Sequence, residues 1–146
     1  MKSTIDTGQL VQAIGDGVVV ADASGVIVMW NPGAQRIFGF TETEAMGQSL
    51  DIIIPQRQQQ RHWDGFTKTM ETGQTRYGND VLRVPAVHKD GHSISIAFTV
   101  ALLTGADQKV ASIVAVVRDE STRFAEERAL KKRLAELETQ VANIGN

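Results

Sequence analysis

Two β-branched runs on either side of a four-residue turn constrain this chain most. Residues 18–21 read Val-Val-Val-Ala, residues 26–30 read Val-Ile-Val-Met-Trp, and Asp22-Ala23-Ser24-Gly25 lies between them. Branched side chains suit a pleated surface, and a Gly-bearing turn closes an antiparallel pair, so the segment predicts a hairpin. An isolated hairpin is marginal in water and needs further strands or helices against its apolar face.

The rest of the chain supplies them. Upstream, Ile5, Leu10, Val11 and Ile14 at helical spacing behind Thr4 or Asp6 predict a short helix, broken by Gly15-Asp16-Gly17. Downstream, Asn31-Pro32 sets a capping side chain before a helix-starting proline, predicting a helix through Ala34, Ile37 and Phe38 that ends at Gly39. Thr41-Glu42-Thr43-Glu44 has the acceptor and early acids of another start, closed by Gly47. Leu50, Ile52, Ile53 and Ile54 form an apolar patch that stops at Pro55. Residues 56–71 read as one helix with Trp63, Phe66 and Met70 along one face, ended by Gly73.

Three strand-like runs follow at 81–87, 94–100 and 110–117, joined by turns at Lys89-Asp90-Gly91 and Gly105-Ala106-Asp107. In the middle run Ile94, Ile96, Phe98 and Val100 alternate with small or polar residues, which gives one buried and one exposed face. From Glu120 onward Leu130, Leu134, Leu137, Val141 and Ile144 repeat at steps of four and three, a heptad seam suited to self-association. The other reading of that tail is a helix folded back on its own domain.

This order of elements predicts an α+β domain with helices on one face of a sheet. At 146 residues there is room for one core, and 42% hydrophobic with 22% charged residues argues against disorder. A net charge of -2 attracts neither nucleic acid nor an acidic membrane surface. Only Arg128, Lys131, Lys132 and Arg133 cluster positive charge, and they form no recognition helix. The absence of cysteine removes disulfides, thiolate metal sites, cysteine nucleophiles and thiol–flavin photochemistry. No apolar run approaches the roughly 18–20 residues of a bilayer span and no signal peptide is visible, so a cytoplasmic protein without a membrane partner is expected. Without a phosphate-cradling glycine loop, a nucleophile–base pair or a metalloenzyme spacing, no enzyme is expected.

Several fragments, taken in order and spacing, resemble the N-terminal half of PAS domains. They are Asp16-Gly17-Val18-Val19-Val20-Ala21-Asp22, Gly25-Val26-Ile27, Trp30-Asn31-Pro32, Ala34, Ile37-Phe38-Gly39-Phe40 and Glu44-Ala45-Met46-Gly47. Lys89-Asp90-Gly91 resembles their central turn, and Arg118-Asp119-Glu120-Ser121 their closing Asp-x-Thr element, with Ser121 in place of Thr. The resemblance covers residues 8–123. It implies the PAS fold, a five-stranded antiparallel sheet in the order 2-1-5-4-3 with helices on one face above a ligand-sized cavity. It also implies a flanking helix whose tilt or rotation is the output. The chain accordingly divides into a flanking helix at 1–15, a core at 16–119 and a heptad helix at 120–146.

The function so implied is a sensory module in signal transduction that binds a small ligand or cofactor, or forms a homodimer, or both, and acts through its C-terminal helix on a separate signalling partner. Asp119, at the end of a strand, can accept hydrogen bonds from the first free amides of the next helix and, with Ser121, tie that helix to the sheet. Dimer contacts are expected at Leu130, Leu134, Leu137 and Val141.

The sharpest chemical expectation concerns His62. The segment Pro55…Arg61-His62…Gly65…Thr72-Gly73 resembles the equivalent helix of the haem-binding, oxygen-sensing PAS domains, with His62 at their proximal iron ligand. This makes haem b the leading cofactor candidate. His62 would be its axial donor, Gly65 and Phe66 would lie beside it, and Leu82, Phe98 and Val100 would line the distal side. The oxygen-sensing kinases that carry such PAS domains place an arginine where this chain has Leu82, next to Arg83, so such a haem would lack the usual donor to oxygen and favour CO or NO. A one-residue slip in that alignment, at Arg83, weakens the conclusion. The competing reading is a structural histidine on an amphipathic helix.

Other candidates have plainer readings. His88 and His92 flank a turn and read as solvated. Trp30 reads as packed in the core or beneath the exit helix, Trp63 as lining a helix face, and Asn31 as an N-cap or a pocket-facing amide. Arg57, Arg61 and Arg76 are candidates for holding an anionic ligand.

Overall fold

The computed structural model describes residues 4–75 and 79–145, and it closes the hairpin between β1 (Gly17–Asp22) and β2 (Ile27–Trp30). Val19 lies opposite Trp30 and Val20 opposite Met29. The Asp22 carboxylate accepts the Ser24 and Val26 amides at 2.9 and 3.1 Å, which bends the chain. Gly25 completes the turn at φ 83°, a conformation with little cost only for glycine. It also lies beneath the Trp63 ring, where a Cβ would fall 2.2 Å from the nearest ring carbon.

β3 (Leu82–Val87), β4 (Ser93–Thr104) and β5 (Val110–Asp119) complete one antiparallel sheet in the order β2-β1-β5-β4-β3. Gly17, Val117, Phe98 and Leu82 form one row across four strands. The core face carries Val19, Ile27, Trp30, Ile94, Ile96 and Val117. Across it, α2 (Pro32–Phe38) and α3 (Glu42–Ala45) lay Ala34, Phe38 and Ala45 to close the core. Trp30 belongs to this core: its ring lies 5.5 Å from that of Phe38, and its indole N–H donates to the Phe40 carbonyl at 2.9 Å. The alternation in β4 holds with one exception, since Ala97 is buried beside its buried neighbour Ile96. Pairing with β5 also carries β4 on to Thr104, four residues past the run seen in the sequence.

α1 (Thr7–Ala13) is capped by Asp6, which accepts the Gln9 amide at 3.1 Å. Asn31 caps α2, and Gly33 lets that helix press on the preceding link, because a Cβ there would fall 2.1 Å from the Asp16 carbonyl oxygen. Thr41 and Glu44 form a reciprocal capping box at the start of α3. The single helix expected at 56–71 is divided: Gln56–Gln58 makes a 3₁₀ turn before α4 (Gln59–Thr72). No side chain caps either start, so the first turn tightens, with the Gln58 amide donating to the Pro55 carbonyl at 2.8 Å.

The tail forms α5 (Ser121–Ile144), in which no residue is buried. It therefore does not fold back on its own domain. Among the described residues no helix is long and apolar enough to cross a membrane.

Candidate functional site

His62 lies on the first turns of α4 and is half-buried. Its ring stands edge-on to Trp63 at 4.7 Å and tilted to Phe66 at 6.0 Å. Phe66 is buried at 8% exposure and meets Trp63 edge-on at 5.1 Å. Trp63 in turn donates its indole N–H to Asp51 at 2.6 Å, which locks the aromatic cluster onto the 3₁₀ turn at Leu50–Ile53. Burial lowers the pKa of the His62 imidazole, against a smaller opposing pull from the Asp51 carboxylate. Burial thereby favours the neutral imidazole, the form in which histidine ligates metals.

His62 Nδ1 is a buried side-chain polar atom without a hydrogen-bond partner. Buried polar groups are usually satisfied, which makes this nitrogen an exception on α4. The donor fits a haem iron in kind, an imidazole between two aromatic rings, while among the described residues no contact joins it to the strand residues expected on the distal side. Leu82 and Phe98 are cross-strand partners on the core face, and Val100 follows Phe98 on that face; all three are half-buried. Arg83 pairs with Ala97 on the opposite face and is exposed, so the alternative alignment does not bring a guanidinium to the core side. Gly65 is exposed and has open space around it.

Of the arginines considered for an anion, Arg57 borders an open cleft of about 500 Å³ shared with Pro55, Gln56, Pro85, Val87, Gly91 and Ser93. Arg61 is exposed on α4 and does not border that cleft, and Arg76 lies outside the described residues.

The second arrangement is the junction between sheet and exit helix. The Asp119 carboxylate accepts the Ser121 amide at 2.8 Å. Ser121 Oγ accepts the Ser95 amide at 3.1 Å, while the Glu120 amide donates to the Ser95 carbonyl at 2.7 Å. One residue of β4 thus holds the start of α5 through both its backbone groups. Beyond this junction Leu130, Leu134, Leu137, Val141 and Ile144 are between 40% and 84% exposed. The heptad seam is uncovered in the single chain.

Two features were not visible in the sequence. Asn31 is neither only a cap nor a pocket amide: at 1% exposure its Oδ1 accepts the Val18 and Ala34 amides, and its Nδ2 donates to the Val11 and Asp16 carbonyls. His88, Asp90 and His92 converge at the β3–β4 turn with one potential ligand atom each, all within 4.8 Å of one another. The alternate spacing of these three residues was the only available signal for the second feature.

The PAS fold family matches residues 6–119 of the chain. The sensor protein FixL of Bradyrhizobium diazoefficiens is 24% identical over 136 residues, covering 92% of this chain and 26% of its own length. The oxygen sensor protein DosP of Escherichia coli is 26% identical over 110 residues, covering 75% of this chain and 14% of its own. The chain therefore spans about a quarter or less of these two relatives. Among solved structures, the PAS domain of a protein from Colwellia psychrerythraea superposes with a TM-score of 0.69 at 21% identity, covering 80% of this chain and 95% of that one.

Proposed function

The chain belongs to the PAS family, and on that premise we propose that this sensory domain is the input unit of a signalling assembly, dimerising and passing its state to a partner through α5. The observation that carries this reading is the pair of hydrogen bonds by which Ser95 of β4 grips the first residues of α5. A shift of β4 or β5 caused by a ligand on the core face would move the helix start with it. A rod about 24 residues long amplifies such a tilt at its far end. The uncovered seam gives the rod something to act on, a second copy or a partner helix. Sedimentation velocity over a concentration series tests this: a dimer is expected, and a chain that stays monomeric at high concentration counts against it.

The unpartnered His62 nitrogen favours a sharper version, a haem-b-binding redox or gas sensor. The likeness to a relative named as an oxygen sensor protein points the same way. Bound haem would supply an iron that takes diatomic gases or changes oxidation state. His62 would hold that iron, and Phe66, Leu82, Phe98 and Val100 would provide apolar walls and keep water out. Leu82 donates no hydrogen bond and Arg83 faces away, so CO or NO is preferred to oxygen. Titration with hemin should give a strong Soret band that His62→Ala abolishes or shifts. Protein that stays colourless and takes up no hemin removes this version and leaves the broader one standing.

A further inference from the structure

We propose that the β3–β4 turn is a binding site for a late divalent transition-metal ion, with His88, Asp90 and His92 as its three protein ligands. The turn brings them to one side. Gly91 takes φ 94°, its amide donates to the His88 carbonyl at 2.8 Å, and the His88 amide donates to the His92 carbonyl at 3.0 Å. The two imidazoles stack at 4.6 Å with 25° between their planes, and both present Nδ1 to the same carboxylate oxygen of Asp90. His88 Nδ1 lies 3.2 Å from that oxygen. Ligand atoms on a tetrahedral ion with bonds of about 2.0–2.2 Å are separated by about 3.3–3.6 Å. The His88 ring already stands near that separation, and the hydrogen-bonded His92 ring would part from the carboxylate as the ion replaced its proton.

The residues are also held in place before any ion arrives. His88 packs directly over Gly39, where a Cβ would fall 2.5 Å from its Cε1, so the ring fills space that a larger residue at 39 would take. The Lys89 amide donates to the Phe38 carbonyl at 2.8 Å, docking the turn on the end of α2. The Lys89 ammonium, the cation nearest the site in sequence, is occupied by Glu44. Asp90 accepts the His92 amide at 3.0 Å, and its own amide reaches His88 Nδ1 at 3.2 Å, a long contact that an ion would displace. Asp90 gathers both rings on one carboxylate oxygen, and a metal ion taking the place of the His92 ring proton would be held by all three groups together.

Two nitrogens and one oxygen select Zn²⁺, Ni²⁺, Co²⁺ or Cu²⁺ over Ca²⁺ or Mg²⁺, which demand oxygen ligands. Three protein ligands at a largely exposed turn leave a position for water or for a ligand from a partner. Among the described residues no other such group of three occurs.

Calorimetry with untagged intact chain and ZnCl₂ tests the assignment. One ion per chain is expected, with no comparable heat from Ca²⁺ or Mg²⁺. His92→Ala and Asp90→Asn, both at exposed positions, should each weaken binding by at least about tenfold while leaving the far-ultraviolet circular dichroism unchanged. His88→Ala should do the same, and because it uncovers Gly39, the two exposed variants decide the matter should it fail to fold. Absence of Zn²⁺, Ni²⁺ and Cu²⁺ binding in the unsubstituted chain, or binding that survives both exposed substitutions, overturns the proposal.

Discussion

Asn31 joins four segments with one amide. Its oxygen holds β1 and the first turn of α2, and its nitrogen holds α1 and the link that follows. A side chain valued only as a cap would tolerate aspartate, which caps equally well. Here Asn31→Asp keeps the oxygen but turns the second position from donor to acceptor, opposite the Val11 and Asp16 carbonyls, and buries a charge. A loss of about 3 kcal/mol is expected, read as a lower urea midpoint with an unchanged m-value. A neutral result would return Asn31 to the role of a simple cap. The capping half of this role was legible because Asn-Pro is a local signal. The other half was not, since the partners of Nδ2 come near only once α1 packs against the hairpin. His88 and His92 read as solvated residues at a turn, and their convergence was not legible for the same reason: their stacking requires a closed turn and an empty place at Gly39.

At the scale of elements, β-branched runs and glycine turns located the hairpin and all five strands, because their side chains carry the period of two themselves. Strand ends were less legible: β4 runs on to Thr104 because β5 pairs with it, which no local pattern encodes. The start of α4 depended on a cap that is missing. Trp63 is tied to Asp51 and sits on Gly25, two contacts set by the path of the chain. The junction at α5 gives a sharper case. Ser121→Ala deprives the Ser95 amide of its acceptor, while Ser121→Thr keeps the hydroxyl. The alanine variant should lose about 1 kcal/mol and show faster amide exchange in the first turns of α5, with the threonine variant close to the original. Equal exchange in all three proteins would mean that the grip of β4 on the helix depends on the Glu120–Ser95 bond alone.

For the whole molecule, a helix of 24 residues is roughly 36 Å long, and alone in water it is only marginally stable. α5 leans on its own domain only at its start, and the proposed dimer would support the rest of it along the seam. The heptad places Leu130, Leu137 and Ile144 at one core position and Leu134 and Val141 at the other, with a β-branched residue at a and Leu at two of the d sites, a pattern suited to two parallel strands. In a parallel in-register pair, Glu126 of one helix faces Lys131 of the other, and Arg133 faces Glu138, so both flanking pairs are of opposite sign. Leu134→Glu with Leu137→Glu would set four carboxylates into that seam. Each removed leucine also forfeits burial of about 1.5–3 kcal/mol, so the dimer constant should weaken by at least about a hundredfold in sedimentation equilibrium. The hemin and zinc titrations of the doubly substituted chain should stay as before, because neither His62 nor the β3–β4 turn lies on α5. A dimer untouched by both substitutions would place the contact elsewhere, and α5 would then be a rod reaching toward a different protein.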